Sequence, residues 1–174
     1  MRNSLRIAAL GAAVAVASLA TSAQAASSAS ASATATILSA LNVTNTAPLA
    51  FDTIAVNGAG TVVVAPNGNI SCTAGALVCP GFNSSAAAFK VTGDTGTNVA
   101  VTLPTTASIL TLSPWTGTGA APTMTVNAFT TGFASGSTIS STGAVFNVGG
   151  TLNVAAAQAA GAYSGTFSVS VNYQ

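Results

Sequence analysis

Short stretches in which apolar and polar residues alternate fill most of the chain, and Gly, Asn and Pro punctuate them. Alternation with a period of two is the signature of a half-buried β-strand. Leu49, Phe51 and Ile54 begin one such stretch. Thr61-Val62-Val63-Val64-Ala65 is a continuous apolar run between Asn57-Gly58 and Asn67-Gly68, two dipeptides that favour hairpin turns. Phe89 and Val91 lead into the turn Gly93-Asp94-Thr95-Gly96. Val99, Val101 and Leu103 alternate with Ala100 and Thr102 until Pro104 ends the pattern. Ile109, Leu110 and Leu112 precede a Gly-rich loop around Trp115. Met124, Val126 and Ala128 share one face, as do Ala144, Phe146 and Val148 before Gly149-Gly150. Leu152 and Val154 read as a further short strand. Phe167, Val169, Val171 and Tyr173 oppose Thr166, Ser168, Ser170 and Asn172 in the cleanest alternation of all. About eight to ten strands at this spacing predict an antiparallel sandwich or barrel. Ala155–Ala160 is the one helix-prone run, and Gly161 limits it to a loop or a single helical turn.

The beginning of the chain follows different patterns. Arg2 and Arg6 precede the apolar stretch Ile7–Leu19, and Ala23-Gln24-Ala25 places small residues where a signal peptidase reads. Residues 1–25 are therefore expected to be a secretory signal peptide, too short in its apolar part to span a bilayer. Residues 26–40 form an extension and 41–174 the sandwich domain. Within the extension Ala29, Ala31, Ala33, Ala35 and Ile37 alternate with Ser30, Ser32, Thr34 and Thr36. This is strand periodicity built from small side chains, in a segment with little area of its own to bury. The strand Phe167–Tyr173 at the other end has no following segment to pair with. An open edge is a template for a strand from another chain. A spare strand at one end and a missing one at the other predict head-to-tail assembly, which does not close and so gives a filament.

Composition narrows the chemistry. The 174 residues include two acidic residues, three basic ones and no histidine, so 3% are charged. Acid–base catalysis draws on such groups, and nucleic-acid binding needs a basic surface. Neither an enzyme nor a nucleic-acid partner is expected. Asp52 and Asp94 read as turn residues, Lys90 as a solvated strand residue, and no ligand set for a metal or cofactor is present. Cys72 and Cys79, in an exported chain, are expected to form a disulfide that clips a short loop. Trp115 is the one candidate ligand platform. It supports a rival reading, a non-polymerising surface or matrix protein that binds carbohydrate.

The C-terminal third, from Gly150-Thr-Leu-Asn-Val through Gln158 and Gly161-Ala-Tyr163-Ser-Gly165 to Tyr173, resembles the end of spore-coat-protein-U-like domains, subunits of archaic chaperone–usher pili. Ala35-Thr-Ile and Leu49-Ala-Phe51 are similar to the start of those domains, although Asp52 stands where they carry Gly. Across nearly the whole chain after the signal, the sequence also resembles an exported bacterial family known as a domain of unknown function. The pilin resemblance implies an immunoglobulin-like sandwich one strand short. It further implies a periplasmic chaperone and an outer-membrane usher as partners. Residues 27–40 of one subunit would then complete the next, at the cell surface, in a fibre with an adhesion or biofilm role. In that scheme Gly161 relieves strain at the groove edge, and Phe167, Val169, Val171 and Tyr173 form the accepting strand.

Overall fold

The computed structural model describes residues 27–174, and the expected signal peptide, residues 1–25, lies outside them. The fold proper is the unit Ile37–Gln174. Residues 27–40 belong to no strand and are exposed throughout.

The strands are β1 (Asn42–Ala47), β2 (Ala55–Val56), β3 (Gly60–Val64), β4 (Ile70–Cys72), β5 (Leu77–Val78), β6 (Ala87–Thr92) and β7 (Asn98–Thr102). They continue with β8 (Ser108–Leu112), β9 (Thr123–Thr131), β10 (Ser137–Thr138), β11 (Ala144–Val154), β12 (Tyr163–Ser164) and β13 (Ser170–Tyr173). No helix occurs among the described residues. The main sheet runs β1-β6-β11-β9-β8-β12, with the hairpin β3–β4 added beside β6 on the long strand β11. A second sheet, β10-β7-β13, packs on it, and β2–β5 is a small satellite ribbon. Every strand pair is antiparallel. The fold is an all-β antiparallel sandwich.

Its core has two lobes. Phe51, Val62, Val64, Leu77, Val126, Leu152 and Val154 fill one. Ala87, Phe89, Val91, Val99, Ile139, Phe146 and Val148 fill the other, where the two sheets meet. Leu49 and Phe129 pack against both lobes. Alternation places these residues inward, because successive side chains of a strand point to opposite faces. In β6, Phe89 and Val91 are buried while Lys90 between them faces outward and is half-exposed.

Five elements depart from the sequence pattern, each for a physical reason. Leu152 and Val154 are not a separate strand. β11 runs unbroken through Gly149-Gly150, because Gly149 admits the Val64 carbonyl at a point where any Cβ would collide with it. Ala128 faces out rather than in, because a β-bulge opposite Gly149–Thr151 and a positive φ of 47° at Ala128 shift the alternation. The next residue, Phe129, turns inward instead. Leu49–Ile54 is no strand beyond a single bridge, Ala50 to Ser85. Asn57-Gly58 turns the chain between β2 and β3, which lie in different sheets, whereas Asn67-Gly68 does close the β3–β4 hairpin. Finally, only residues 170–173 of the expected strand 167–173 pair with β7, since the register that matches Ser170 to Thr102 runs upstream into Pro104. Proline offers no N–H to a ladder. The alternating burial nevertheless continues back to Phe167.

Candidate functional site: an open groove between two sheet edges

The main sheet has two edges in its principal path, β1 and β12. The sheet curls until both edges rim the same cavity of 470 Å³. Asn45, Pro48 and Leu49 form one rim, and Tyr163, Ser164 and Gly165 the other. Between them the floor is apolar: Phe51, Phe89, Leu110, Val126 and Phe167. Phe167 is held there by Phe129, at 4.8 Å between ring centroids, and by Phe89 at 6.1 Å, edge to face. Such aromatic pairs add stability beyond their buried area.

Local chemistry shapes each rim. On β1 a register shift between Asn45 and Ala47 disturbs the ladder. The Asn45 amide there donates to the carbonyls of Ala47 (2.8 Å) and Ala88 (3.0 Å), and the Thr46 hydroxyl donates to Ala88 at 3.2 Å. Opposite, Tyr163 is fixed through its hydroxyl, which donates to the Ala159 carbonyl and accepts from the Gln158 amide, both at 2.7 Å. Gly165 passes so close to the Ile109 carbonyl that a Cβ would not fit. These anchors hold the rims while their free edges pair with no strand of the described residues.

Of the expected accepting strand, Phe167, Val169, Val171 and Tyr173 all pack against the lobe between the sheets, and Phe167 also lines the groove. Gly161, at φ +144°, lies against Leu112, whose side chain occupies the place of a Cβ. Ala29, Ala31, Ala33, Ala35 and Ile37 are all exposed, Ile37 at 93%. Cys72 and Cys79 form the expected disulfide, with 6.3 Å between their Cα atoms. Trp115 lies over Gly117 of its own loop, its indole N–H 3.4 Å from the Gly119 carbonyl, and remains 40% exposed.

The two carboxylates do not meet. They sit beyond opposite ends of the β1–β6 ladder, a separation on the order of 25 Å at the rise of a strand. Asp52, at φ +62°, accepts the Asn83 N–H at 3.0 Å. This bond, then one from the Thr53 N–H, lowers its pKa. The pKa of Asp94 is lowered by the Ser39 hydroxyl and next by the Ser39 N–H. No cluster of metal-ligating side chains occurs among the described residues.

A family model described as Domain of unknown function (DUF4402) matches residues 41–173. The chain belongs to this family. The DUF4402 match spans both sheets and the whole groove, and it begins just before β1. No curated protein and no solved structure matches the chain.

The sequence pattern placed Phe51, Phe89 and Val126 of this DUF4402 domain in alternating stretches and Leu110 in a short apolar run. What it did not reveal is that they line one groove. That depends on which edges the curl of the sheet brings together, and pairing order is not encoded in alternation. Ser39 and its partners, Asp94 and Tyr173, also went unrecognised as a cluster, since they lie far apart in the chain.

Proposed function

We propose that this protein is a structural subunit of a surface fibre, assembled by strand donation between copies. The observation that carries the reading is that the two edges of one sheet rim a single apolar groove. A strand laid between β1 and β12 would find backbone hydrogen-bonding groups on both sides and an apolar floor beneath. In such strand addition the main chain supplies affinity, and alternate side chains supply fit. The occupant we assign is the segment 27–38 of a second copy. It has strand periodicity, it is exposed, and its inward-facing Ala side chains suit a narrow groove, with Ile37 as the one large anchor. Near-neutral charge favours the contact, because little self-repulsion opposes association.

Export across the inner membrane, passage through the periplasm and display at the cell surface belong to the same proposal. So do a chaperone that covers the groove in transit and an usher that exchanges it for the next subunit. The role of the fibre would be adhesion or biofilm cohesion, with no catalytic step. The test is deletion of residues 26–40. Full-length protein is expected to form ladders on denaturing gels without boiling. The truncated protein is expected to stay monomeric and to capture a synthetic 27–38 peptide with one-to-one stoichiometry. Ladders from the truncated protein, or no capture of the peptide, would overturn the reading.

A further inference from the structure

Just before β1, three side chains from distant parts of the chain converge. The Ser39 N–H donates to one Asp94 carboxylate oxygen at 2.6 Å, and the Ser39 hydroxyl donates to the other at 2.7 Å. The Tyr173 hydroxyl accepts the Asp94 N–H at 2.9 Å and donates to the Ser39 carbonyl at 2.9 Å. Each of the three residues thus contacts the other two. Bonds to a carboxylate are the strong ones in such a set. Gly93 makes the convergence possible, because a Cβ there would strike the Tyr173 hydroxyl and the Leu41 side chain. The change along the chain is abrupt: Ile37 is 93% exposed, and two residues later the backbone is held on both its N–H and its carbonyl.

We propose that Ser39, Asp94 and Tyr173 form a latch that fixes where the N-terminal extension leaves the fold and bears tension applied to it. They are positioning residues for strand donation, and the inference rests on that reading. Without the latch, a pull on residue 38 would act directly on β1, an edge strand held along one side by β6. Its pairs would open in turn from Asn42–Thr92 onward. With the latch, the load passes at once to the turn after β6 and to β13. The turn carries the load into β6 of the main sheet, and β13 belongs to the second sheet, so the force is shared by both layers of the sandwich. A second consequence follows from spacing. If Ile37 anchors in the neighbour and Ser39 is latched at home, Leu38 is the one residue between the two fixed points. Consecutive Cα atoms are about 3.8 Å apart, so adjacent subunits would touch and the fibre would be stiff rather than beaded.

The experiment compares full-length protein with Asp94→Asn, Ser39→Ala and Tyr173→Phe variants. Hydrogen exchange is measured on the amides of Ser39, Asp94 and β1, with β11 as internal reference. Asp94→Asn, which takes the charge from both Ser39 bonds, is expected to speed exchange at Ser39 about tenfold; Tyr173→Phe, which loses two neutral bonds, should speed exchange at Asp94 by less, and Ser39→Ala, which keeps the N–H bond to the carboxylate, should speed exchange at Ser39 by less. The β11 amides should be unmoved, which also establishes that each variant is folded. Single-molecule pulling between handles at residues 30 and 147 should lose its first resistance step in the same variants. Unchanged exchange together with an unchanged first step would overturn the latch. The gel ladders report separately: if wild-type protein forms none while the exchange pattern is as expected, strand donation fails and with it the latch's load-bearing role.

Discussion

Gly149 and Gly150 lie side by side in β11, and alanine at each should have different consequences. At Gly149 an added Cβ would meet the Val64 carbonyl and the backbone of Ala65 and Pro66. None of these atoms can rotate aside. To restore ordinary contact the end of β3 would have to retreat by on the order of 1 Å, a backbone shift of the kind that overpacking forces. That retreat strains the Gly150–Val64 pairing and the turn bond from the Ala65 N–H to the Asn69 carbonyl at 2.8 Å. Losing two or three backbone bonds at about 1 kcal/mol each outweighs the ~0.5–1 kcal/mol that Ala gains over Gly in a strand. A net loss of about 1–3 kcal/mol is expected. At Gly150 the obstacles are side chains, Val126 at 3.1 Å and Leu49 at 3.3 Å, and Leu49 can move toward the open groove. Gly150→Ala should therefore cost less than about 1 kcal/mol, the usual toll of a tolerated core change. Equilibrium unfolding in urea resolves the two, since a slope of about 1–3 kcal/mol/M converts the larger loss into a midpoint lower by roughly 1 M. Equal midpoints, or Gly150→Ala being the less stable, would refute the assignment of backbone contact at Gly149.

Acid should act late. The lowered pKa values of Asp52 and Asp94 stabilise the fold above the ordinary carboxylate value of 3.8, and that contribution is lost as pH falls through the lower folded values. With no histidine in the chain, thermal midpoints should stay flat between about pH 5 and 8, where an unperturbed histidine would titrate, and decline only below about pH 4. A titration step near pH 6 would contradict this. Removing the Cys72–Cys79 bond with a double Cys→Ala variant should cost about 2–3 kcal/mol, the chain-entropy figure for a loop this short. Calorimetry of the variant against the oxidised parent measures it, and an unchanged midpoint would mean the loop is ordered without the clip.

Much of the sandwich was legible because alternation is a local property. β6, β7 and β8 fall where their Val, Leu and Phe residues predict, and the hairpin at Asn67-Gly68 closes as its turn chemistry requires. β1 was not legible. Its sequence, Asn-Val-Thr-Asn-Thr-Ala, offers only Val43 and Ala47 to the interior, because an edge strand beside an open groove has little to bury. The bulge at Ala128 was hidden for another reason: its cause lies across the ladder, in Gly149-Gly150, not in the neighbours of Ala128. The groove was the least accessible feature of all. Its rims come from residues 45–49 and 163–165, and only the curl of the intervening strands sets them face to face.

That curl also bears on solubility. A margin of unpaired amides and carbonyls normally invites any flat β-segment that drifts by. Here the two margins rim one shared groove, so a segment that joins them must fit between both. With scarcely any ionic repulsion to keep molecules apart, confining these two margins to one groove shortens the edge left open to indiscriminate pairing.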